Sequence, residues 1–180
     1  MLLERTQSLL LLVDLQERLI PAVMEGERTL ANALRLIRAA RRLQIPVLAS
    51  EQYPEGLGPT VPPVRALLEA GEIHGKTTFD GARARGLADA VAATHRRRIV
   101  LAGSEAHVCV LQTAAGFMAR GFETAVVADA VASRAAESRR MGLDRLAAAG
   151  AQIVTTEMVL FEWIGEAATP EFKELLELIK

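Results

Sequence analysis

A chain of 180 residues, 51% of them hydrophobic, has the size of one domain and enough apolar surface to bury a single core. Its 21 lysines and arginines are balanced by 22 aspartates and glutamates, a formal net charge of -1, so no sequence-independent pull toward nucleic acid or anionic lipid is implied. One cysteine excludes an internal disulfide and a cysteine-rich zinc site, and fits a reducing compartment. Met1 to Thr6 shows no basic region leading into an apolar stretch and a small-residue cleavage site, and the apolar run Leu9 to Val13 is too short to span a bilayer. The expectation is a cytoplasmic protein that acts on a small molecule, without nucleic-acid or membrane partners.

Apolar runs of strand length alternate with longer stretches of helical period, and no repeat or low-complexity linker interrupts them. This predicts one domain over residues 1–180, an α/β fold whose parallel sheet is covered by helices on both faces. Ser8 to Leu15 is nearly all apolar, as a strand buried on both faces must be, and carries Asp14 near its end. The following helix sets Leu30, Leu34 and Ile37 on one stripe and Arg35, Arg38 and Arg42 mostly on another. Val47 to Ser50 is the second strand. Glu51 to Pro63, with four prolines and two glycines, reads as an irregular loop.

Ile73 to Lys76 reads as a short strand, Leu87 to Thr94 as a helix and Arg98 to Gly103 as a strand. Val108 to Arg120 is a predicted helix stopped by Gly121, Thr124 to Ala128 a strand, Glu137 to Ala149 a helix stopped by Gly150, and Gln152 to Thr155 the last strand. Thr169-Pro170-Glu171 opens a final helix running to Lys180, with threonine as cap and proline at the first position. Its apolar positions Phe172, Leu175, Leu176, Leu178 and Ile179 suit docking either on the core or on a second copy of the chain.

Three residues attract attention chemically. Cys109 lies where a strand's carboxyl end meets a helix's amino end, a position whose free amides and dipole favour thiolate. Taken singly, it reads first as a buried thiol filling space. Asp14, at the end of an apolar strand, suits a general base whose pKa is raised by burial, or simply a turn or helix cap. Lys76 offers a fixed positive charge, or is an ordinary solvated lysine. The parallel-sheet reading brings all three to one edge, giving a nucleophile, a base and a cation together. Of the three histidines, His107 stands two residues before Cys109, a spacing that does not face it on a helix, so it reads as a pocket or structural residue. His95, beside Arg96 to Arg98, reads as a solvated turn. No group of His, Asp or Glu has metal-ligand spacing near these residues, so neither a metal nor another cofactor is expected.

LLLVDLQ at Leu10 to Gln16, GKTTFD at Gly75 to Asp80 and GSEAHVCVLQTA at Gly103 to Ala114, supported by ADAVASR at Ala128 to Arg134, resemble the isochorismatase-like cysteine hydrolases over almost the full chain. SEQYPEGLGPTVP and TPEFKELLELIK resemble the isochorismatase domain-containing subgroup in particular. The resemblance implies a three-layer α/β/α sandwich on a six-stranded parallel sheet of order 3-2-1-4-5-6, and an Asp14–Lys76–Cys109 triad. It also implies a cis peptide between Ser104 and Glu105, which turns the backbone amides of Glu105 and Cys109 into an oxyanion hole. A homo-oligomer, dimer or larger, is expected on the same ground.

Departures narrow the chemistry. Ala106 stands where threonine is common in the family. Ser50-Glu51-Gln52-Tyr53-Pro54 offers no aspartate and histidine set of the kind that binds metal in nicotinamidases of this fold, and true isochorismatases lack the cysteine. The sequence therefore reads as a cysteine hydrolase cleaving a C–N bond, amide-like or ureide-like, or a related bond, in a small molecule through an acyl-enzyme. Gln16, Tyr53, Phe79 and His107 are the expected pocket walls. The alternative from another class is a catalytically silent, oligomeric interaction protein that keeps the fold.

Overall fold

The structure is a computed structural model and describes residues 2–178. Six parallel strands, β1 (Ser8–Val13), β2 (Val47–Gln52), β3 (Ile73–Lys76), β4 (Arg98–Ser104), β5 (Glu123–Ala132) and β6 (Gln152–Val154), form one sheet in the order β3-β2-β1-β4-β5-β6. Both faces of the central strands are buried. Leu10 and Leu12 of β1, with Val100 and Ala102 of β4, enter one core cluster; Leu9, Leu11 and Val13, with Ile99 and Leu101, enter the other. The strand period of two thus sends alternate side chains into opposite helical layers, which is why these segments read as continuous apolar runs.

One layer consists of α1 (Gly26–Arg42), α3 (Pro62–Arg65), and α7 (Thr156–Ile164) and α8 (Pro170–Leu176) at the end of the chain, while the short α2 (Pro54–Leu57) lies in the loop after β2. The other holds α4 (Arg85–Ala93), α5 (Leu111–Met118) and α6 (Ala136–Ala148). Among the described residues, no helix is long and apolar enough to cross a membrane. The strand order reverses between β1 and β4, and the carboxyl ends of strands flanking such a switch point form the crevice where open α/β sheets hold their ligands.

Several boundaries differ from expectation for physical reasons. β1 stops at Val13 rather than Leu15, because Asp14 takes a left-handed conformation at φ 51 and turns the chain out of the strand. β2 runs two residues beyond Ser50 because β3 pairs with it through Gln52 opposite Lys76. β5 reaches Ala132 and slips against β4: Leu101 faces Val126, but Gly103 faces Val131. The expected helix at 108 begins earlier, as a π-helical turn over Ala106–Val110 that leads into α5. Such turns are rare and concentrate at functional sites.

The buried stripe of α1 is Thr29, Ala33, Leu36, Ile37 and Ala40, with Leu30 and Leu34 only partly buried at its margin. Sequence reasoning missed α7, although Thr155 caps it by accepting from the Met158 amide, Glu157 sits in its first turn and Gly165 closes it at φ 72. Its Trp163 is among the most deeply buried side chains. In α8, Thr169 caps as expected, accepting from the Phe172 amide at 3.1 Å. Leu175 is buried, and Phe172 and Leu178 pack against the same core cluster, so these positions serve the fold of their own subunit. Ile179 and Lys180 lie outside the described residues.

Gly103 is the tightest point between the central strands. Its φ is 129, and a Cβ there would stand 1.9 Å from the Val13 carbonyl oxygen. Gly103→Ala should lower unfolding stability by about 2–4 kcal/mol or prevent folding, since both strain and overlap act at one backbone position. Guanidinium chloride unfolding checks this, and wild-type stability in the variant would contradict it.

Candidate active site

The left-handed turn at Asp14 is fastened by backbone bonds: its amide donates to the Ser50 carbonyl at 3.1 Å, and its own carbonyl accepts from the Ser104 hydroxyl at 3.0 Å. This aims the carboxylate across the carboxyl ends of β1, β2 and β3. There Oδ1 accepts from Ser50 Oγ at 2.6 Å and Oδ2 from Lys76 Nζ at 2.8 Å. The side chains of Asp14 and Lys76 are both fully buried. A buried ion pair carries a desolvation cost that additional hydrogen bonds must offset. Here Ser50 supplies one, and Gln52 Oε1 accepts a second proton of Lys76 at 2.7 Å.

Cys109 completes the cluster. It is 6% exposed, its Sγ lies 4.0 Å from Gln52 Oε1, the atom that also accepts from Lys76, and the Asp14 charge acts on its thiol. Burial and the adjacent Asp14 charge push its pKa up to about 12, with Lys76 opposing them. The expectation that the turn favours a resting thiolate is thereby corrected. At neutral pH the resting group is a thiol, because desolvation and the carboxylate outweigh the lysine and the turn's dipole.

The structure thus brings Asp14, Lys76 and Cys109 together from three separate elements. The peptide between Ser104 and Glu105 is cis, and the Glu105 carbonyl accepts from the amides of Val108 and Val110, each at 3.1 Å, anchoring the π-helical turn that carries Cys109. Among the described residues, no three His, Cys, Asp or Glu side chains converge in an arrangement able to hold a metal ion.

The expected pocket walls divide. Gln16 is fully buried and its amide is spent bracing loops: Nε2 donates to the carbonyls of Gln52 at 3.0 Å and Gly58 at 2.7 Å, while Oε1 accepts from the Gln52 amide at 2.8 Å. It supports Gln52 from behind and is not a pocket wall. Tyr53 and Phe79 are 54% and 52% exposed, on the loops that leave β2 and β3. The Tyr53 amide donates to the Lys76 carbonyl at 2.7 Å, which ties that loop to the triad. A cleft of about 490 Å³ runs beside it, lined by Pro54, Glu55, Lys76, Thr77, Thr78 and Arg83. His107 Nδ1 lies 3.0 Å from Ser133 Oγ, and the ring lines a second cleft of about 380 Å³ with Leu111, Glu137 and Met141.

Sequence reasoning missed Ser50 and Gln52. Their signal was the polar run Ser-Glu-Gln that ends an otherwise apolar strand, where a buried hydroxyl and amide need partners. Glu51 uses its own carboxylate locally, accepting from the Thr60 amide and hydroxyl.

The family model described as "Isochorismatase domain" matches residues 8–158. Isochorismatase domain-containing protein 2 of Danio rerio is 39% identical over 172 residues, covering 96% of this chain and 86% of the relative. Among solved structures, one described as MAR1 ribonuclease from Caenorhabditis elegans superposes with a TM-score of 0.92 at 36% identity, covering 99% of this chain and 92% of that one. The YcaC product of Escherichia coli, described as an octameric hydrolase of unknown specificity, gives 0.92 at 26% identity over 98% and 90%. On this match, and on the six-stranded sheet that carries it, the chain belongs to the isochorismatase domain family.

Proposed function

We propose that the protein is a cysteine hydrolase in which Asp14, Lys76 and Cys109 cleave a C–N bond, amide-like or ureide-like, or a related bond in a small molecule. The observation that carries the reading is the fully buried Asp14–Lys76 pair, joined through Gln52 Oε1 to the one cysteine of the chain, at the carboxyl ends of the strands. A structural role alone gives no reason to bury both charges beside a thiol.

Asp14 takes the thiol proton as Sγ attacks the carbonyl carbon, so the high resting pKa of Cys109 is met by proton transfer within the step. Lys76 keeps Asp14 oriented and offsets the negative charge that the thiolate brings. The carbonyl oxygen becomes an oxyanion, held by the backbone amides of Glu105 and Cys109. The C–N bond then breaks, the leaving nitrogen takes the proton from Asp14, and an acyl group remains on Sγ. Water, deprotonated by Asp14, hydrolyses this thioester, and the proton returns to the thiol. Tyr53 and Phe79, exposed on the loops that leave β2 and β3, and His107, in the cleft beside α6, are the side chains proposed to meet substrate.

The description of one relative as a ribonuclease favours a second reading, RNA cleavage. Its electrostatics are poor in this chain. The arginine-lined cleft of about 510 Å³, with Arg5, Arg42 and Arg96, lies at the amino ends of the strands, opposite the triad, and Arg42 is already paired with Glu171 and Glu174. A homo-oligomer is proposed in line with the octameric relative. The catalytically silent interaction protein remains the rival from outside enzymology, and the buried triad weighs against it.

Two variants separate a carboxylate-activated cysteine from a histidine-activated one. Asp14→Asn should lower turnover of a small amide substrate by about 100-fold or more, the scale of a positioned general base, while His107→Asn costs less. In the same Asp14→Asn protein, iodoacetamide labelling of Cys109 should speed up, because an anion that raises the thiol pKa is gone. Wild-type labelling should keep rising with pH beyond about 8.5, the ordinary thiol value. Circular dichroism confirms folding, and single-stranded RNA in the same assay should stay intact. Normal turnover in Asp14→Asn beside an inactive His107→Asn would reverse the assignment.

Oligomeric state is checked by light scattering at micromolar concentration. A mass at least twice the 19.4 kDa of one chain is expected, and a monomer would refute the proposal.

A further inference from the structure

A second buried carboxylate stands at the nucleophile's turn, and the mechanism above uses only its backbone. The Glu105 side chain is 6% exposed and lies on the turn that carries Cys109. It is gripped from one direction. Arg134 donates through Nη2 to Oε1 at 2.5 Å, through Nε to the same oxygen at 3.0 Å, and through its backbone amide to Oε2 at 3.3 Å. Burial pushes the Glu105 pKa up, but these contacts outweigh it and hold the carboxyl below its ordinary value, so it is charged.

The slip between β4 and β5 makes this contact available. It sets Ala132 opposite Ser104, so the next residues of β5's extension, Ser133 and Arg134, fall beside Glu105 and His107. Ser133 meets His107 at 3.0 Å, and His107 Nδ1 is also 3.6 Å from Glu105 Oε2. The Arg134 side chain is 70% exposed, so burying its own bulk in the core is not what it contributes.

We propose that Arg134 is a positioning residue for Cys109: it cancels the Glu105 carboxylate at the nucleophile's turn and fastens that turn to the end of β5. Without it, an uncompensated carboxylate would share the turn with the thiolate that forms in the attack step. The Glu105 charge indeed acts to raise the thiol pKa, alongside Asp14.

The other charged groups around the turn are already committed or opposed. Asp14 and Lys76 pair with each other, and Asp80, on the loop packed against α5, accepts from the Ala82 amide. On α6, which meets the turn through Gly142, Glu137 and Arg145 share the His107 cleft with opposite charges. Arg134 is therefore the cation placed to answer Glu105.

The proposal rests on Cys109 being the nucleophile, but its test reads thiol ionisation without any substrate, so its failure is distinguishable from a failure of the hydrolase reading. Iodoacetamide labelling of Cys109 is followed against pH in the folded full chain, with circular dichroism on every variant. Arg134→Ala should label about 3–10-fold more slowly at a fixed pH near 8, with the profile displaced upward, the scale of one uncompensated nearby charge. Arg134→Lys keeps the charge and should stay within about twofold of wild type. Arg134→Ala combined with Glu105→Gln should regain the wild-type rate. Should Arg134→Ala fail to fold, Glu105→Gln alone must label faster than wild type. Labelling of Arg134→Ala at or above the wild-type rate overturns the proposal, as does a double variant that remains as slow as Arg134→Ala.

Discussion

Everything at the candidate site hangs on one interaction, the fully buried contact of Asp14 with Lys76. Two charges removed from water cost several kcal/mol each before their mutual attraction and hydrogen bonds are counted. The pair is supported by two further hydrogen bonds, from Ser50 to Asp14 and from Lys76 to Gln52. Those four residues come from the ends of β1, β2 and β3, so the arrangement requires the observed strand order and the Gln52–Lys76 register. Replacing such a pair by packed apolar side chains is often neutral or stabilising. Its retention next to a cysteine therefore points to chemistry rather than to stability.

The same pair explains why a thiol with a pKa near 12 suits the proposed reaction. A resting thiolate beside Asp14 would add an unpaired negative charge to a closed site. A resting thiol adds none, and the proton moves only as the carbonyl carbon accepts the electron pair. Arg134 extends the logic outward, since each buried carboxylate near Cys109 has its own cation: Lys76 for Asp14 and Arg134 for Glu105.

Much of this was legible in the amino-acid sequence. Strands buried on both faces betray themselves as apolar runs, so β1 and β4 were placed closely, and the motifs around Asp14, Lys76 and Cys109 pointed to one edge of a parallel sheet. The sheet order itself came with the family resemblance. What stayed hidden depends on long-range geometry. Gln52 matters only because β3 pairs two residues farther along β2 than the apolar pattern shows. Arg134 matters only because β5 slips against β4. The ionisation of Cys109 was misjudged because a local argument, the start of a helix, omitted the burial and the carboxylate that tertiary packing imposes. α7 was missed despite an ordinary cap, since its nearly uniform apolar run lacks the clear polar face that marks a surface helix.

The central claim is that Cys109 carries the acyl group. It is tested most directly by incubating the protein with a panel of small amides, ureides and esters, quenching in acid and measuring intact mass. The account predicts an adduct equal to the acyl portion of a turned-over substrate, located on Cys109 by peptide mapping and absent from Cys109→Ala, which should be inactive. No Cys109 adduct across the panel, or undiminished turnover by Cys109→Ala, would contradict it.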